Sequence, residues 1–208
     1  MAGSVSIVDY GCGNIRSVVN AIRAAGGEAE LVSRPEQLKH SSKIILPGVG
    51  AFEEAMDSLR STGFAEALNE ARTDGKTILG ICLGMQLLCR RSDEHGDHTG
   101  LGWIDADVIH FRAQGVTDLK VPHMGWNALE IHQPHPLMAH IDQGTDVYFV
   151  HSHAIQCDHE ADVLCYTDYG VRFVSAFVHG SVMGMQFHPE KSHRAGLQIL
   201  KNFVELEG

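Results

Sequence analysis

The chain reads as an α/β fold: an open, mostly parallel central sheet flanked by helices, with an additional mixed or antiparallel sheet in the C-terminal half. Three observations predict it. In the N-terminal half short apolar runs alternate with helical patterns, the signature of a parallel sheet covered on both faces. In the C-terminal half strand patterns follow one another with few helices between them, as antiparallel pairing allows. Two N-terminal apolar runs end in glycine clusters, around Gly48 and Gly50 and around Gly80 and Gly84, at the carboxyl edge where open α/β sheets bind ligands.

Taken in order, Val5–Val8 is the first expected strand. Asn14 is placed to cap a helix whose apolar residues Ile15, Val18, Val19 and Ile22 follow helical spacing, and Gly26 and Gly27 end it. Strands are expected at Ala29–Val32, Ile44–Leu46 and Thr77–Ile81; helical patterns over Ala51–Leu59 and Phe64–Ala71 supply a crossover. A further helix from about Gly84 through Leu88 carries Cys89 two turns deeper as a buried structural thiol. Arg90–His98 reads as a polar, solvated loop. Beyond it, strands are expected at Ala106–Phe111, Asn127–Ile131, Asp146–His151, Val163–Tyr166, Phe173–Val178 and Val182–Gln186. A last helix, Ala195–Leu206, buries Leu197, Leu200, Phe203 and Val204, with Ser192 as its cap. No repeat or linker interrupts residues 1–208, which are expected to form a single domain.

The chemistry gathers at the end of the fourth strand. In Gly80-Ile81-Cys82-Leu83-Gly84 the glycines leave room for a sharp strand-to-helix turn that lifts the Cys82 sulfur toward a cleft, and the helix start favours its thiolate. A cysteine nucleophile needs a proton acceptor. Gln186-Phe187-His188-Pro189-Glu190 offers one: Pro189 forbids helix, so in an extended segment His188 and Glu190 face the same side. His188 is then the base for Cys82 and the acid for the leaving amine, and Glu190 holds the imidazole in its useful tautomer. An isolated cysteine is more often a packed core thiol; here two motifs at the ends of different strands reinforce each other.

Lys43–Gly50 is an apolar strand that breaks into a glycine-rich loop without the Lys and Ser/Thr of a phosphate loop. Its Val49 amide, with that of Leu83, can form an oxyanion hole. Gly11-Cys12-Gly13 suggests a dinucleotide turn, but Arg16 stands where the third glycine is required. Composition excludes other classes. With 26 acidic against 16 basic residues the formal charge is −10, so nucleic acid is an unfavourable partner. The N-terminal residues carry neither a basic region nor a long apolar run, so no export or membrane insertion is expected and the chain is placed in the cytoplasm. Five cysteines with no Cys-x-x-Cys pair argue against a disulfide scaffold. The 14 histidines, including His151 and His153, lack the spacing and companion ligands of a zinc site, so no metal is expected.

Together, Gly80–Gly84, His188-Pro189-Glu190 and the loop around Val49 resemble the class I glutamine amidotransferases, of flavodoxin-like fold. In that family a Cys-His-Glu triad hydrolyses the side-chain amide of glutamine and passes on ammonia. Asp9-Tyr10-Gly11-Cys12-Gly13-Asn14 and Pro122-His123-Met124-Gly125-Trp126-Asn127 narrow the resemblance to the glutaminase subunits of imidazole glycerol phosphate synthases. It implies Cys82, His188 and Glu190 as the triad. Around bound glutamine it implies Gly48, Gly50, Gln86, Tyr148, Ser152 and His153, the last where the family often carries tyrosine. No cofactor is implied. The implied partner is a cyclase subunit with a (β/α)8 barrel, forming a heterodimer with an ammonia channel and making imidazole glycerol phosphate and aminoimidazole carboxamide ribonucleotide in histidine biosynthesis.

In such a heterodimer Pro122, His123, Met124, Trp126 and Asn127 face the cyclase. The residues themselves leave two readings of that loop, since Met and Trp either pack into their own core or anchor an interface. Three alternatives stand beside the resemblance: the glutaminase subunit of a pyridoxal phosphate synthase, a freestanding γ-glutamyl hydrolase, and a catalytically silent regulatory module.

Overall fold

A computed structural model describes residues 4–206. The N-terminal half comprises β1 (Ser4–Val8), α1 (Ile15–Ala24), β2 (Glu28–Val32), β3 (Lys43–Gly48), α2 (Phe52–Thr62), α3 (Phe64–Thr73), β4 (Thr77–Cys82) and α4 (Leu83–Leu87). There follow β5 (Cys89–Ser92), β6 (His98–Thr99), β7 (Ile104–His110), β8 (His123–Ala128), β9 (Glu130–Ile131), β10 (Asp146–His151), β11 (His153–Cys157), β12 (Val163–Asp168), β13 (Arg172–His179), β14 (Val182–Met185) and α5 (His193–Glu205).

The central sheet runs β2-β1-β3-β4-β14-β13-β11-β7-β5-β6, with β12 and β9 branching from β13. From β2 to β14 all neighbours are parallel; β13, β11 and β7 then alternate in direction. The second antiparallel sheet is the ribbon β8–β10, while the other C-terminal strands continue the central sheet.

Strand periodicity sorts the core. Ile44, Leu46 and Ile78 pack into one apolar cluster with Phe52 and Leu59 of α2 and Leu68 of α3. Their neighbours Ile45, Leu79 and Ile81 join Val18 and Ile22 of α1 and Leu200 and Phe203 of α5 in the other. Each such fully buried side chain contributes roughly 1.5–3 kcal/mol. Lys43, at the foot of β3, is buried as well and gives its Nζ to the Val204 carbonyl near the end of α5, where a cation suits the helix dipole. No helix among the described residues is long and apolar enough to cross a membrane.

The structure corrects several local expectations. The helix after Cys82 is only one turn long, and Cys89 opens β5 instead of riding on that helix; it is nonetheless fully buried. The carbonyls of Leu87, Leu88 and Cys89 are taken by the amides of Leu101, Trp103, Ile104 and Gly102, so the chain turns into sheet pairing before a second turn can form. Arg90–His98 is accordingly part of a hairpin, β5–β6, with its tip folded back on the molecule. β11 carried no strand signal, because His153 and Gln156 interrupt the apolar run; pairing with β7 on one side and β13 on the other extends it. Neither expected cap caps a helix: Asn14 accepts from the Ser17 hydroxyl, and the Ser192 hydroxyl is engaged elsewhere.

Candidate active site

β4 ends in a strained turn. Cys82 has φ 54° and ψ −112°, a left-handed backbone that a residue with a side chain enters only under constraint. The constraint is how closely α4 lies on the sheet. A Cβ on Gly84 would stand 1.9 Å from the Leu46 carbonyl oxygen, and one on Gly80 2.7 Å from the backbone of Gly84 and Met85. Gly48 serves the same contact, since its Cβ would lie 2.8 Å from the Gly84 nitrogen. Gly84→Ala must therefore push α4 off β3, and is expected to lower stability by at least about 3 kcal/mol. The measurement is the midpoint of urea unfolding, and an unmoved midpoint would contradict the packing argument.

Cys82 opens onto a cavity of about 290 Å³ at the carboxyl end of the parallel strands. Val49 and Gly50 after β3, Leu83 and Gln86 of α4, Pro122, the corner from Val150 to His153, His188 and Glu94 complete its wall. Of the residues expected around a substrate, Gly50, Gln86, Ser152 and His153 are thus in the wall. Gly48 is not, being spent on the α4 contact. Tyr148 is not either: its ring meets Trp126 edge-on and lies under the Lys191 ammonium, 5.8 Å from Nζ.

His188 reaches the cavity from the segment after β14. The expected extended run is instead one 3-10 turn over Pro189–Lys191, with Pro189 in first position, where its missing N–H costs nothing. The turn is pinned to β10. The His188 amide donates to the Tyr148 carbonyl at 2.9 Å, while the Ser192 hydroxyl donates to the His188 carbonyl at 2.7 Å and accepts the Tyr148 amide at 3.0 Å. Glu190 Oε1 stands 2.8 Å from His188 Nδ1, with both side chains shut off from solvent. His188 Nε2 is buried and has no hydrogen-bond partner among the described residues. Burial alone would pull this imidazole down, but the Cys82 sulfur and the Glu190 carboxylate overcome it and hold the pKa at about 9.

Two contributors to the site carried no signal in the sequence. Gln186, fully buried, directs its Nε2 at the Cys82 sulfur at 3.7 Å, and its Oε1 accepts Gln86 Nε2 at 2.9 Å. Glu94 sat in a stretch that read as solvated, and only the β5–β6 hairpin brings it to the cavity. One of its oxygens accepts the Phe52 amide at 2.7 Å and the other lies 3.7 Å from His153 Nδ1. Asp93 flanks the same imidazole at 3.6 Å. Burial nevertheless keeps His153 below the ordinary histidine pKa, against the pull of Glu94.

The loop expected at an interface divides in two. Met124 and Trp126 project outward, 63% and 46% exposed, beside Pro122 at the cavity wall. His123 corrects the expectation: strand alternation in β8 turns it inward, where it stacks on Phe149 and Tyr169. Asn127 follows it inward, donating to the Asp168 carbonyl.

Residues 6–206 match the family model for glutamine amidotransferase class-I. The chain belongs to that family. It is an amidotransferase in the company of relatives named imidazole glycerol phosphate synthase subunit HisH: 48% identical to that of Sulfurimonas denitrificans, covering 97% of both chains. The Geobacter sulfurreducens protein is 43% identical over 98% of this chain and 99% of its own. Among solved amidotransferase-like folds, PurLQS from Thermotoga maritima superposes with a TM-score of 0.78 at 18% identity, covering 98% of each chain. A putative GMP synthase subunit from Thermoplasma acidophilum gives 0.74 at 20%, covering 98% of this chain and 93% of that one. At such identities those structures speak for the fold alone.

Proposed function

We propose that this chain is the glutaminase subunit of an imidazole glycerol phosphate synthase, a single-domain protein of the cytoplasm that supplies ammonia to a (β/α)8 cyclase subunit in a heterodimer. Its near full-length similarity to HisH proteins is the observation that carries the choice of partner. The site supports the chemistry. Cys82 attacks the δ-carbonyl carbon of glutamine, forming a C–S bond, and the amides of Val49 and Leu83 receive the oxyanion. His188, an imidazolium at neutral pH by its raised pKa, gives its Nε2 proton to the amide nitrogen as the C–N bond breaks and ammonia leaves. Water then gives a proton back to His188 and attacks the thioester, releasing glutamate and the sulfur. Glu190 keeps the Nδ1 proton in place throughout.

Glu94 is the carboxylate of the cavity, and we assign it to the α-ammonium of the substrate; Gly50, Gln86, Ser152 and His153 line the rest. Ammonia that escapes into water is protonated and lost as a nucleophile, so the cavity needs a cover. Met124 and Trp126, exposed on the strand that follows Pro122 of the cavity wall, suit an interface anchor. The cyclase would receive ammonia there and join it to N′-[(5′-phosphoribulosyl)formimino]-aminoimidazole-carboxamide ribonucleotide, giving imidazole glycerol phosphate and aminoimidazole carboxamide ribonucleotide.

The test mixes the chain with a histidine-pathway cyclase and its nucleotide ligand and follows glutamate release. Stimulation of about tenfold or more over the isolated chain is expected. Full activity without any partner would instead favour a freestanding γ-glutamyl hydrolase, and stimulation only by a pyridoxal phosphate synthase would move the chain to that complex.

A further inference from the structure

At the cavity wall, buried His151 meets a second buried imidazole, His123, in an aromatic cage. His123 Nδ1 lies 3.0 Å from His151 Nε2, and Phe111, Phe149, Tyr169 and Phe173 enclose the pair. Polar groups in such a setting are costly unless fully satisfied, and apolar rings of like size would fill the same space. Here all four ring nitrogens are satisfied, and the partners leave a single pattern of protons.

The pattern follows from acceptors that cannot donate. His151 Nδ1 faces the His153 carbonyl at 2.7 Å, so it carries the proton. Burial keeps His151 neutral, with its pKa pushed down to about 3, so its Nε2 is a lone pair and His123 Nδ1 must donate to it. Burial likewise lowers His123 to about 4, leaving His123 Nε2 as an acceptor for Asn127 Nδ2 at 3.3 Å. The Asn127 amide is itself fixed, because its Oδ1 accepts the Ala128 amide and its Nδ2 also serves the Asp168 carbonyl. At the other end the His153 carbonyl also accepts Gln86 Nε2 at 3.2 Å, and the second hydrogen of that amide goes to Gln186. Gln86 Oε1 is left without a partner among the described residues, in the wall of the cavity.

We propose that His123 and His151 are positioning residues for substrate: the hydrogen-bond chain from Asn127 through His123 and His151 holds in place the His153 carbonyl, which with Gln186 Oε1 takes both hydrogens of the Gln86 amide and so turns the Gln86 oxygen toward the ligand. The chain starts on β8, the strand that carries the exposed Met124 and Trp126, and ends in the glutamine pocket. It rests on the glutaminase reading and deepens it, since a fixed acceptor in the wall selects a ligand that brings N–H donors.

The experiment compares His123→Phe, which keeps the stacking and loses both nitrogens, with His123→Asn, which keeps a donor near the Nδ1 position. Both are assembled with the cyclase. His123→Phe is expected to raise the glutamine KM about tenfold, the scale of one well-placed hydrogen bond, with kcat within about threefold; His123→Asn is expected to return KM to within about threefold of the parent. An unchanged KM in His123→Phe, or equal damage in both variants, would overturn the proposal. Nitrogen-15 spectra of histidine-labelled protein provide a second arm: His123 and His151 should both carry their proton on Nδ1, and a proton on His151 Nε2 would break the chain. Failure of the parent complex to use glutamine would remove the glutaminase reading and this proposal together, whereas a turning-over parent with an indifferent His123→Phe removes the proposal alone.

Discussion

Glutamine turnover by the assembled enzyme is expected to fall by at least about 10⁴-fold in Cys82→Ala, while cyclisation driven by added ammonium salt continues at the parent rate. The size follows from the chemistry assigned to the sulfur. Without it no thioester forms, and neither Glu94 nor the loop amides can replace a covalent step. Ammonia supplied from solution bypasses this subunit entirely, so the cyclase arm separates a dead nucleophile from a broken complex. Binding to the cyclase should be unchanged, because Cys82 lies at the bottom of the cavity and is nearly buried. A variant that retained more than a trace of glutamate release would show that another group performs the attack. The same variant should move the His188 titration downward from about 9, since the sulfur is the largest of the influences that raise it against burial.

Glu190→Gln should lower kcat by about 10³- to 10⁴-fold with little change in the glutamine KM. Glu190 is not itself in the cavity wall; it acts through the 2.8 Å contact with His188 Nδ1. A neutral amide there no longer favours the imidazolium, and it can present N–H to Nδ1 and so select the wrong tautomer. The linkage has a definite sign. A folded-state pKa of about 9 lies above the ordinary histidine value of 6.5, so the protonated ring stabilises the fold fully below pH 6.5, and that contribution is lost as pH rises through about 9. The parent should therefore lose stability across this window, and Glu190→Gln should lose less, having less to give up. Denaturation midpoints at pH 6 and pH 9.5 check this, together with proton NMR of His188, whose titration should fall in the variant. A His188 pKa that stayed at about 9 would show that Glu190 does not hold the imidazole.

Much of the frame was legible before any coordinates. The parallel strands β1 to β4 and their helices are recorded in apolar periodicity, and the close contact of α4 with the sheet in Gly48, Gly80 and Gly84, residues whose lack of a side chain makes sense only at a tight turn. The spacing of His188 and Glu190 brought the two side chains together even though the backbone between them is a 3-10 turn and not an extended run. What the pattern misread is equally physical. Cys89, seven residues after Cys82, falls on a helical face and Arg90–His98 holds only polar residues and a glycine, so they read as a helix end followed by a loop; the amides of residues 101–104 convert them to sheet. With that hairpin unseen, Glu94 had no reason to be noticed.

By itself the sequence determined the layers, the strained elbow at Cys82 and the pairing of an imidazole with a carboxylate, because each is encoded within a few residues by period, turn chemistry or spacing. Only the tertiary structure decided which distant groups surround them: that Glu94 reaches the cavity and Gln186 the Cys82 sulfur, that the ring of Tyr148 stays outside, and that His123 and Asn127 turn inward while Met124 and Trp126 turn out. Those neighbours depend on strand register and on how closely separate sheets pack, and a one-residue shift in either would exchange inside for outside without altering any local pattern.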